Sequence, residues 1–215
     1  MLTRKVLLAM IVAFGFVLLM PRASIAEASG FPLPNFELPY YTGFGVNWSG
    51  GPHQWGNGPS VVYMDLYSGS GIDFAKGGQS FTVAAMAEGD VIYAGSPIPN
   101  NGLGMQVAVR HTVGGSVVIY GHLSGIWQPL SDTFNSGGNY HVLPGYTIGY
   151  AGMTGNAPSI HLHVELRDGS RGCCVGSDDG GNPISWHSVE LNGYRIYNVR
   201  PNELGINPDP PYNEV

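Results

Sequence analysis

The sequence predicts an all-β protein in which short antiparallel strands are joined by tight turns. Gly and Pro are abundant, with 33 and 16 copies among 215 residues, and both residue types disfavour the interior of helices. Apolar side chains nevertheless make up 43% of the chain, so a packed core can form and disorder is not expected. This combination indicates a turn-rich domain whose core is built from strands.

Short apolar stretches rich in β-branched residues recur between glycines in the middle of the chain. They predict strands over residues 81–85, 90–94, 105–111, 116–122, 147–150 and 160–166. Turn signals at residues 88–90 and 113–116 separate neighbouring strands, which favours antiparallel pairing. Residues 124–140 are largely polar and predict a long loop, and no segment shows the periodicity of an amphipathic helix. The predicted architecture is a small antiparallel β-sheet or sandwich with long loops.

Residues 1–26 carry the features of an export signal. Arg4 and Lys5 precede an uncharged apolar run over residues 6–20, which is shorter than the ~20 residues that a membrane-spanning helix needs. Small residues at Ser24 and Ala26 match the positions that a signal peptidase reads, and we predict cleavage after Ala26. The mature protein is therefore expected to be secreted and to have no stable membrane insertion.

The predicted cleavage makes the chain more acidic. It removes three of the nine basic residues and no acidic one, so six basic and 15 acidic side chains give a net charge of about −9. Such a balance argues against a nucleic-acid-binding surface. The rest of the chain divides into a Pro- and aromatic-rich lead-in over residues 27–45, one domain over residues 46–200 and an irregular tail over residues 201–215.

The two cysteines of the chain are neighbours, Cys173 and Cys174. Adjacent Cα atoms lie ~3.8 Å apart, which is shorter than the usual disulfide separation of ~4.4–6.8 Å, so a bond between them would be strained. We therefore interpret them as two thiols in a surface loop, although an oxidising compartment also allows pairing. A zinc site of the CxxC type is excluded by their number.

Histidine placement carries the clearest chemical signal. His161 and His163 flank Leu162 in an alternating strand, so both imidazoles lie on one face while Leu162 faces the core. Two imidazoles on one face of a strand can present nitrogen ligands to zinc. The alternative is an exposed strand face that carries two histidines without a metal. The chain has no HExxH segment, so a helix-borne glutamate base is not expected.

Several short segments follow one another in a characteristic order along the chain: GGPH, GIDFA, VAAMAEGDVIYAG, GLGMQVAVRH, VVIYGHLS, VLPGYTIGYAGMTG and HLHVEL. In this order they resemble the lysostaphin-like zinc endopeptidases, the M23 class of cell-wall peptidases, from about Trp48 to Arg167. The long spacing after GGPH is similar to that of the secreted staphylolytic and elastolytic subgroup. The resemblance implies a β fold of the duplicated hybrid motif type, with long loops around a groove.

The resemblance also implies a set of site residues. One Zn²⁺ per chain would be held by His53, Asp73 and His163, which match the ligands of the family residue by residue. Two imidazoles and one carboxylate leave the fourth tetrahedral position open for water, as in catalytic zinc sites. His122 and His161 match the catalytic pair of the family, which would deprotonate the water, stabilise the oxyanion or protonate the leaving amine.

Two features of the chain depart from the common family pattern. The family usually places its first histidine four residues before the aspartate, where this chain has Gly69. Asp65 therefore competes with Asp73 as the carboxylate ligand, and we prefer Asp73 because GIDFA carries the family context. The Gly-Pro pair that usually precedes HLH is replaced by Ser159 and Ile160, which alters the groove wall without removing a ligand.

The expected function is that of a secreted zinc metalloendopeptidase. This hydrolase would use a zinc-activated water to cut peptide bonds in peptidoglycan stem or cross-bridge peptides. Gly-Gly bonds are the most specific substrate that we expect. A secreted peptidase acting on glycine-rich proteins and a non-catalytic, wall-binding member of the family are the alternatives. We expect a monomer that binds such peptides and no nucleic acid. The remaining histidines of interest, His111, His141 and His187, are interpreted as structural or surface residues.

Overall fold

The computed structural model of the chain describes residues 32–53, 71–96, 102–174, 180–186, 189–192 and 194–195. Residues 50–53, 190 and 194–195 are described by their backbone alone. The signal segment over residues 1–26 and the tail over residues 201–215 lie outside the described residues, as do Asp65 and His187. None of the described helical residues forms a helix long and apolar enough to cross a membrane.

Antiparallel strands dominate the described part of the chain, which confirms the all-β prediction. The elements in chain order are β1 (Asn47–His53), β2 (Gly71–Ala75), β3 (Thr82–Ala84), β4 (Gly89–Gly95), β5 (Gln106–His111), β6 (Val117–Gly121), β7 (Leu123–Ile126), α1 (Gln128–Asn135), β8 (His141–Val142), β9 (Thr147–Ala151), β10 (Leu162–Arg167), β11 (Glu190–Leu191) and β12 (Tyr194–Arg195). A seven-stranded sheet has the order β1-β2-β10-β6-β5-β4-β8, a three-stranded sheet has the order β3-β9-β7, and β11 pairs with β12.

The main hydrophobic core covers one face of the seven-stranded sheet and includes residues of the smaller sheet. Leu162, Val164 and Leu166 alternate along β10 and are fully buried in this core. Ile148 of β9 belongs to the same buried cluster. Because side chains alternate along a strand, His163 and the other intervening residues of β10 face the opposite side of the sheet.

Residues 124–140 contradict the predicted long loop, because they contain most of β7 and the whole of α1. Pro129 lies in the first turn of α1, where its missing N–H breaks no helical hydrogen bond. Leu130 is fully buried, and Phe134, one turn later, packs against the main core. The sequence prediction missed this eight-residue helix because only two of its side chains make apolar contacts with the core. Two apolar positions are too few to show a helical period.

Strands β1 and β2 precede the first strand that the sequence analysis predicts, and they form one edge of the large sheet. The described part of the lead-in, residues 32–45, packs against the domain. Phe36, Leu38 and Tyr40 are buried in the main core, and the N–H of Glu37 donates to the Met86 carbonyl at 2.7 Å. The N-terminal segment therefore contributes to the core of the domain.

The structure corrects the interpretation of the cysteine pair. Cys173 and Cys174 are joined by a disulfide and are both buried, whereas we predicted thiols in a surface loop. They pack with Leu103, Val117 and Ile119 in a second apolar cluster, on the sheet face opposite the main core. The prediction failed because only tertiary contacts bring this polar, glycine-rich stretch onto the apolar face of β6.

Candidate active site

Antiparallel pairing of β2 and β10 places Asp73 directly opposite His163, although 90 residues separate them in the chain. The Nδ1 atom of His163 lies 2.8 Å from Oδ1 of Asp73, which is a hydrogen-bond distance. His163 is almost fully buried, whereas 21% of the Asp73 side chain is exposed. The pair forms a polar point on the sheet face away from the main core, and solvent reaches it from the Asp73 side.

The charges around this pair favour a cation. Burial opposes a positive charge on His163, but the hydrogen bond to Asp73 and its negative charge outweigh burial and raise the pKa of His163. Glu165, on the same face of β10, adds negative charge, and Arg167 opposes it while forming an ion pair with Glu165. The net balance at His163 is therefore set mainly by Asp73.

His161 brings a second imidazole to the same face, two residues before His163. Its Nδ1–H donates to the carbonyl of Ser159 at 2.9 Å. Its Nε2 lies 3.9 Å from Oδ1 of Asp73, and the side chain is largely buried. The ring is therefore held by the backbone at one nitrogen and faces Asp73 with the other.

His122 brings a third imidazole to the site from the end of β6. Gly121 pairs with His163 in the β6–β10 ladder, so the residue after Gly121 enters the site. The ring centroid of His122 lies 4.6 Å from that of His161 and 5.8 Å from that of His163. Burial, together with the nearby His163, lowers the pKa of His122 to about 4, so the ring is neutral near pH 7.

The donor atoms of the site suit zinc, which takes imidazole nitrogen and carboxylate oxygen. Nδ1 of His163 and Oδ1 of Asp73 lie 2.8 Å apart, which is close enough for both atoms to contact one ion. Among the side chains that the structure describes, no three His, Cys, Asp or Glu residues surround one metal position. The third predicted ligand, His53, is described by its backbone alone and pairs with Gly71, two residues before Asp73. The described residues therefore fit two ligands of a zinc site.

Two other histidines lie in different surroundings. His111 is buried in β5, and its Nδ1–H donates to the carbonyl of Glu88 at 3.1 Å. His141 is exposed, with Nδ1 at 2.9 Å from Asp90 and Nε2 at 3.2 Å from Glu88. These positions agree with the structural and surface roles that the sequence analysis assigned to them.

The sequence analysis missed Thr154 as a residue of the site. The carbonyl oxygen of Thr154 accepts a hydrogen bond from Nδ1–H of His122 at 2.8 Å. The GMTG segment that contains Thr154 belongs to the family motif VLPGYTIGYAGMTG, but the motif assigned no role to Thr154 itself. Because the contact with His122 uses a backbone carbonyl, the residue type at position 154 does not signal it.

About half of the chain, residues 67–174, matches the sequence model of Peptidase family M23. The chain belongs to peptidase family M23. The matched segment of this M23 domain contains Asp73, His122, His161 and His163, and His53 precedes it. The family that the sequence motifs indicated is confirmed, whereas the staphylolytic and elastolytic subgroup stays a prediction.

The M23 domain is also similar to several solved structures. The catalytic domain of the antimicrobial peptidase lysostaphin from Staphylococcus simulans is 24% identical, with 65% of this chain and 81% of that chain covered and a TM-score of 0.38. The catalytic domain of a mutant of the prophage-encoded M23 protein EnpA from Enterococcus faecalis is 20% identical, with 70% and 94% covered and a TM-score of 0.44. A zinc-containing peptidase from Vibrio cholerae is 20% identical, with 74% and 41% covered and a TM-score of 0.47. No curated protein sequence matches the chain.

Proposed function

We propose that this M23 protein is a secreted zinc metalloendopeptidase that cuts peptide bonds in peptidoglycan stem or cross-bridge peptides. The observation that carries the proposal is the convergence of Asp73, His122, His161 and His163 inside the segment that matches a peptidase family. Burying three imidazoles beside one carboxylate costs free energy, and such clusters of titratable groups are characteristic of functional sites. A purely structural role gives no reason for this arrangement.

His53, Asp73 and His163 would hold the zinc ion. When bound there, zinc supplies Lewis-acid chemistry that polarises a peptide carbonyl and makes water a stronger nucleophile. The negative charge of Asp73 offsets part of the charge of the cation, and the β2–β10 pairing holds Asp73 and His163 on one rigid face of the sheet. His53 would join them from the neighbouring strand β1.

His122 and His161 share a feature that suits proton transfer. The Nδ1–H of each donates to a backbone carbonyl, that of Thr154 for His122 and that of Ser159 for His161. A neutral imidazole with its proton on Nδ1 has a lone pair on Nε2, so each ring can accept a proton there. A ring that takes a proton from the attacking water at Nε2 becomes an imidazolium, and it would then donate that proton to the leaving amine and return to the neutral form.

Membership of the family supports this substrate class, and the charge of the mature chain bears on how the substrate is held. A net charge of about −9 gives no electrostatic attraction toward an anionic cell wall, so groove contacts must hold the substrate. We propose extended peptides of small residues, with Gly-Gly bonds as the most specific case, because small side chains allow a backbone carbonyl to come close to Asp73 and His163. Export directed by residues 1–26 would deliver the enzyme to this substrate.

Mass spectrometry of peptidoglycan digests tests the proposal. The mature protein is expected to bind about one zinc per chain and to release cross-bridge or stem fragments. His163→Ala is expected to lose both zinc and cleavage, because it removes the nitrogen that faces Asp73. The matched control is His141→Ala, which removes an exposed imidazole of β8 and is expected to retain both.

The same measurements separate the proposal from its alternatives. Hydrolysis of elastin, a glycine-rich protein, without hydrolysis of peptidoglycan would favour a protein-directed peptidase. Full zinc loading without hydrolysis of either substrate would contradict an enzymatic function and favour a wall-binding member of the family.

A further inference from the structure

We propose that Thr154 is the positioning residue that holds His122 in one tautomer, with its basic nitrogen available to the site. Thr154 makes three hydrogen bonds around His122. Its hydroxyl donates to the Leu123 carbonyl and accepts from the Met105 N–H, both at 2.8 Å, and its own carbonyl accepts from Nδ1–H of His122 at 2.8 Å. The catalytic consequence of this role rests on the function proposed above.

The contact between His122 and Thr154 defines the position of the imidazole proton. A backbone carbonyl can only accept a hydrogen bond, so Nδ1 of His122 must carry the proton. The neutral ring carries one proton, and Nε2 is therefore left with its lone pair. A flip to the other tautomer would remove the hydrogen bond to Thr154 and place a proton on Nε2, where a general base needs a lone pair.

The backbone of His122 also needs support, because it adopts a conformation that is rare for a residue with a side chain. Its φ angle is 59°, in the left-handed region. Its N–H donates to the Leu103 carbonyl at 2.6 Å, and the N–H of Leu123 donates to the Met105 carbonyl at 2.9 Å. The Thr154 hydroxyl contacts Met105 and Leu123 as well, so it links both segments that hold His122 in this conformation.

Two glycines allow the three segments to approach so closely. Gly104 has a φ of 64°, and a Cβ at this position would overlap the backbone of Thr154. Gly155 has a φ of 72°, and a Cβ there would overlap the Gly102 carbonyl and the backbone of Gly104. The N–H of Asn156 closes the contact by donating to the Gly102 carbonyl at 2.7 Å. The Thr154 carbonyl is thus held at a defined distance from the His122 ring.

The test compares Thr154→Val, which is nearly isosteric but has no hydroxyl, with Thr154→Ser, which retains the hydroxyl. Long-range ¹H–¹⁵N NMR of the zinc-loaded protein reports the tautomer of His122, and His122→Gln assigns its signals. We expect wild type and Thr154→Ser to show the Nδ1–H tautomer, and Thr154→Val to populate the Nε2–H form. In the peptidase assay, Thr154→Val is expected to lower kcat at least about tenfold with KM within about twofold.

Two control variants separate positioning from a general loss of stability. Thr133→Val removes a threonine hydroxyl that donates to the Pro129 carbonyl at 2.9 Å in α1, away from the His122 loop. Val109→Ala removes apolar volume from the main core. Both are expected to keep the His122 tautomer and kcat, even where the melting temperature falls.

The outcomes distinguish this proposal from the proposed function. Thr154→Val with a lowered melting temperature but an unchanged His122 tautomer and kcat would overturn the positioning role. Thr154→Ser behaving like Thr154→Val would overturn it too, because the hydroxyl would then not be the decisive group. If wild type cleaves no peptide while Thr154→Val alone changes the tautomer, the proposed function fails and the positioning role of Thr154 stands.

Discussion

At the scale of single residues, His111 and His122 show how one residue type takes different roles in different surroundings. Burial lowers the pKa of both imidazoles to about 4, and each donates Nδ1–H to a backbone carbonyl. His111 lies among core side chains, with Phe36 in edge-to-face contact at 5.3 Å. His122 lies beside two further imidazoles and Asp73. Of the two histidines, His122 is therefore the one whose neighbours include other titratable groups.

The pKa of His111 predicts a loss of stability in mild acid. Its pKa falls from about 6.5 in the unfolded chain to about 4 in the folded one. Neutral His111 therefore contributes its full share to the free energy of unfolding above pH 6.5, and this share is lost as the pH falls toward 4. Between pH 7.5 and pH 5 this loss amounts to about 2 kcal/mol. Urea unfolding of wild type and His111→Asn at both pH values measures it.

His111→Asn isolates the effect because the Asn amide keeps an N–H donor for the Glu88 carbonyl but does not titrate. His122, whose pKa is lowered in the same way, remains in both proteins and cancels in the comparison. We expect the variant to lose about 2 kcal/mol less than wild type over this pH range. Equal losses in the two proteins would contradict the assignment.

At the scale of elements, the six strands predicted from the sequence correspond closely to observed strands. Each predicted strand lies within two residues of an observed one, because alternation of β-branched residues between glycines is a local property. Helix α1 was missed because its place depends on Leu130 reaching a core that other elements build. The burial of the cysteine pair was missed for the same reason, because it depends on packing against Val117 and Ile119 of β6.

The anchoring of α1 by Leu130 can be measured. Leu130→Ala is expected to lower the free energy of unfolding by about 3 kcal/mol, because the side chain is fully buried and its loss leaves a cavity. Leu143→Ala is the control, since Leu143 is 41% exposed, and it should cost less than about 1 kcal/mol. Chemical denaturation of both variants provides the comparison, and equal effects would show that α1 does not depend on this contact.

At the scale of the whole molecule, the lead-in connects distant parts of the chain. The Phe36 carbonyl accepts from the N–H of Asn192 at 2.9 Å, and the Phe36 ring contacts Trp186 at 5.4 Å. These contacts join the N-terminal segment to residues that follow β10. The match to the M23 family begins at residue 67, so this part of the core lies outside the matched segment.

The structural role of the lead-in predicts different effects for two of its phenylalanines, Phe36 and Phe44. Phe36→Ala is expected to reduce the free energy of unfolding by about 4 kcal/mol, because the ring is 2% exposed. Phe44→Ala should change it by less than about 1 kcal/mol, because that ring is 61% exposed. Thermal unfolding of the two variants tests this, and a small effect of Phe36→Ala would mean that the lead-in does not stabilise the domain.

The sequence alone was sufficient for the strand-rich class, for the shared face of His161 and His163 and, through its ordered motifs, for the family. These properties depend on residue type and on the two-residue period of a strand, which are local. The resemblance implied that Asp73 and His163 share one ion, but only the tertiary structure decided that they are paired directly, since this depends on the register of two strands whose paired residues are 90 positions apart. It also decided that Thr154 holds His122. The stretches around Gly104 and Gly155 are far apart in the chain, and only the fold brings them into contact.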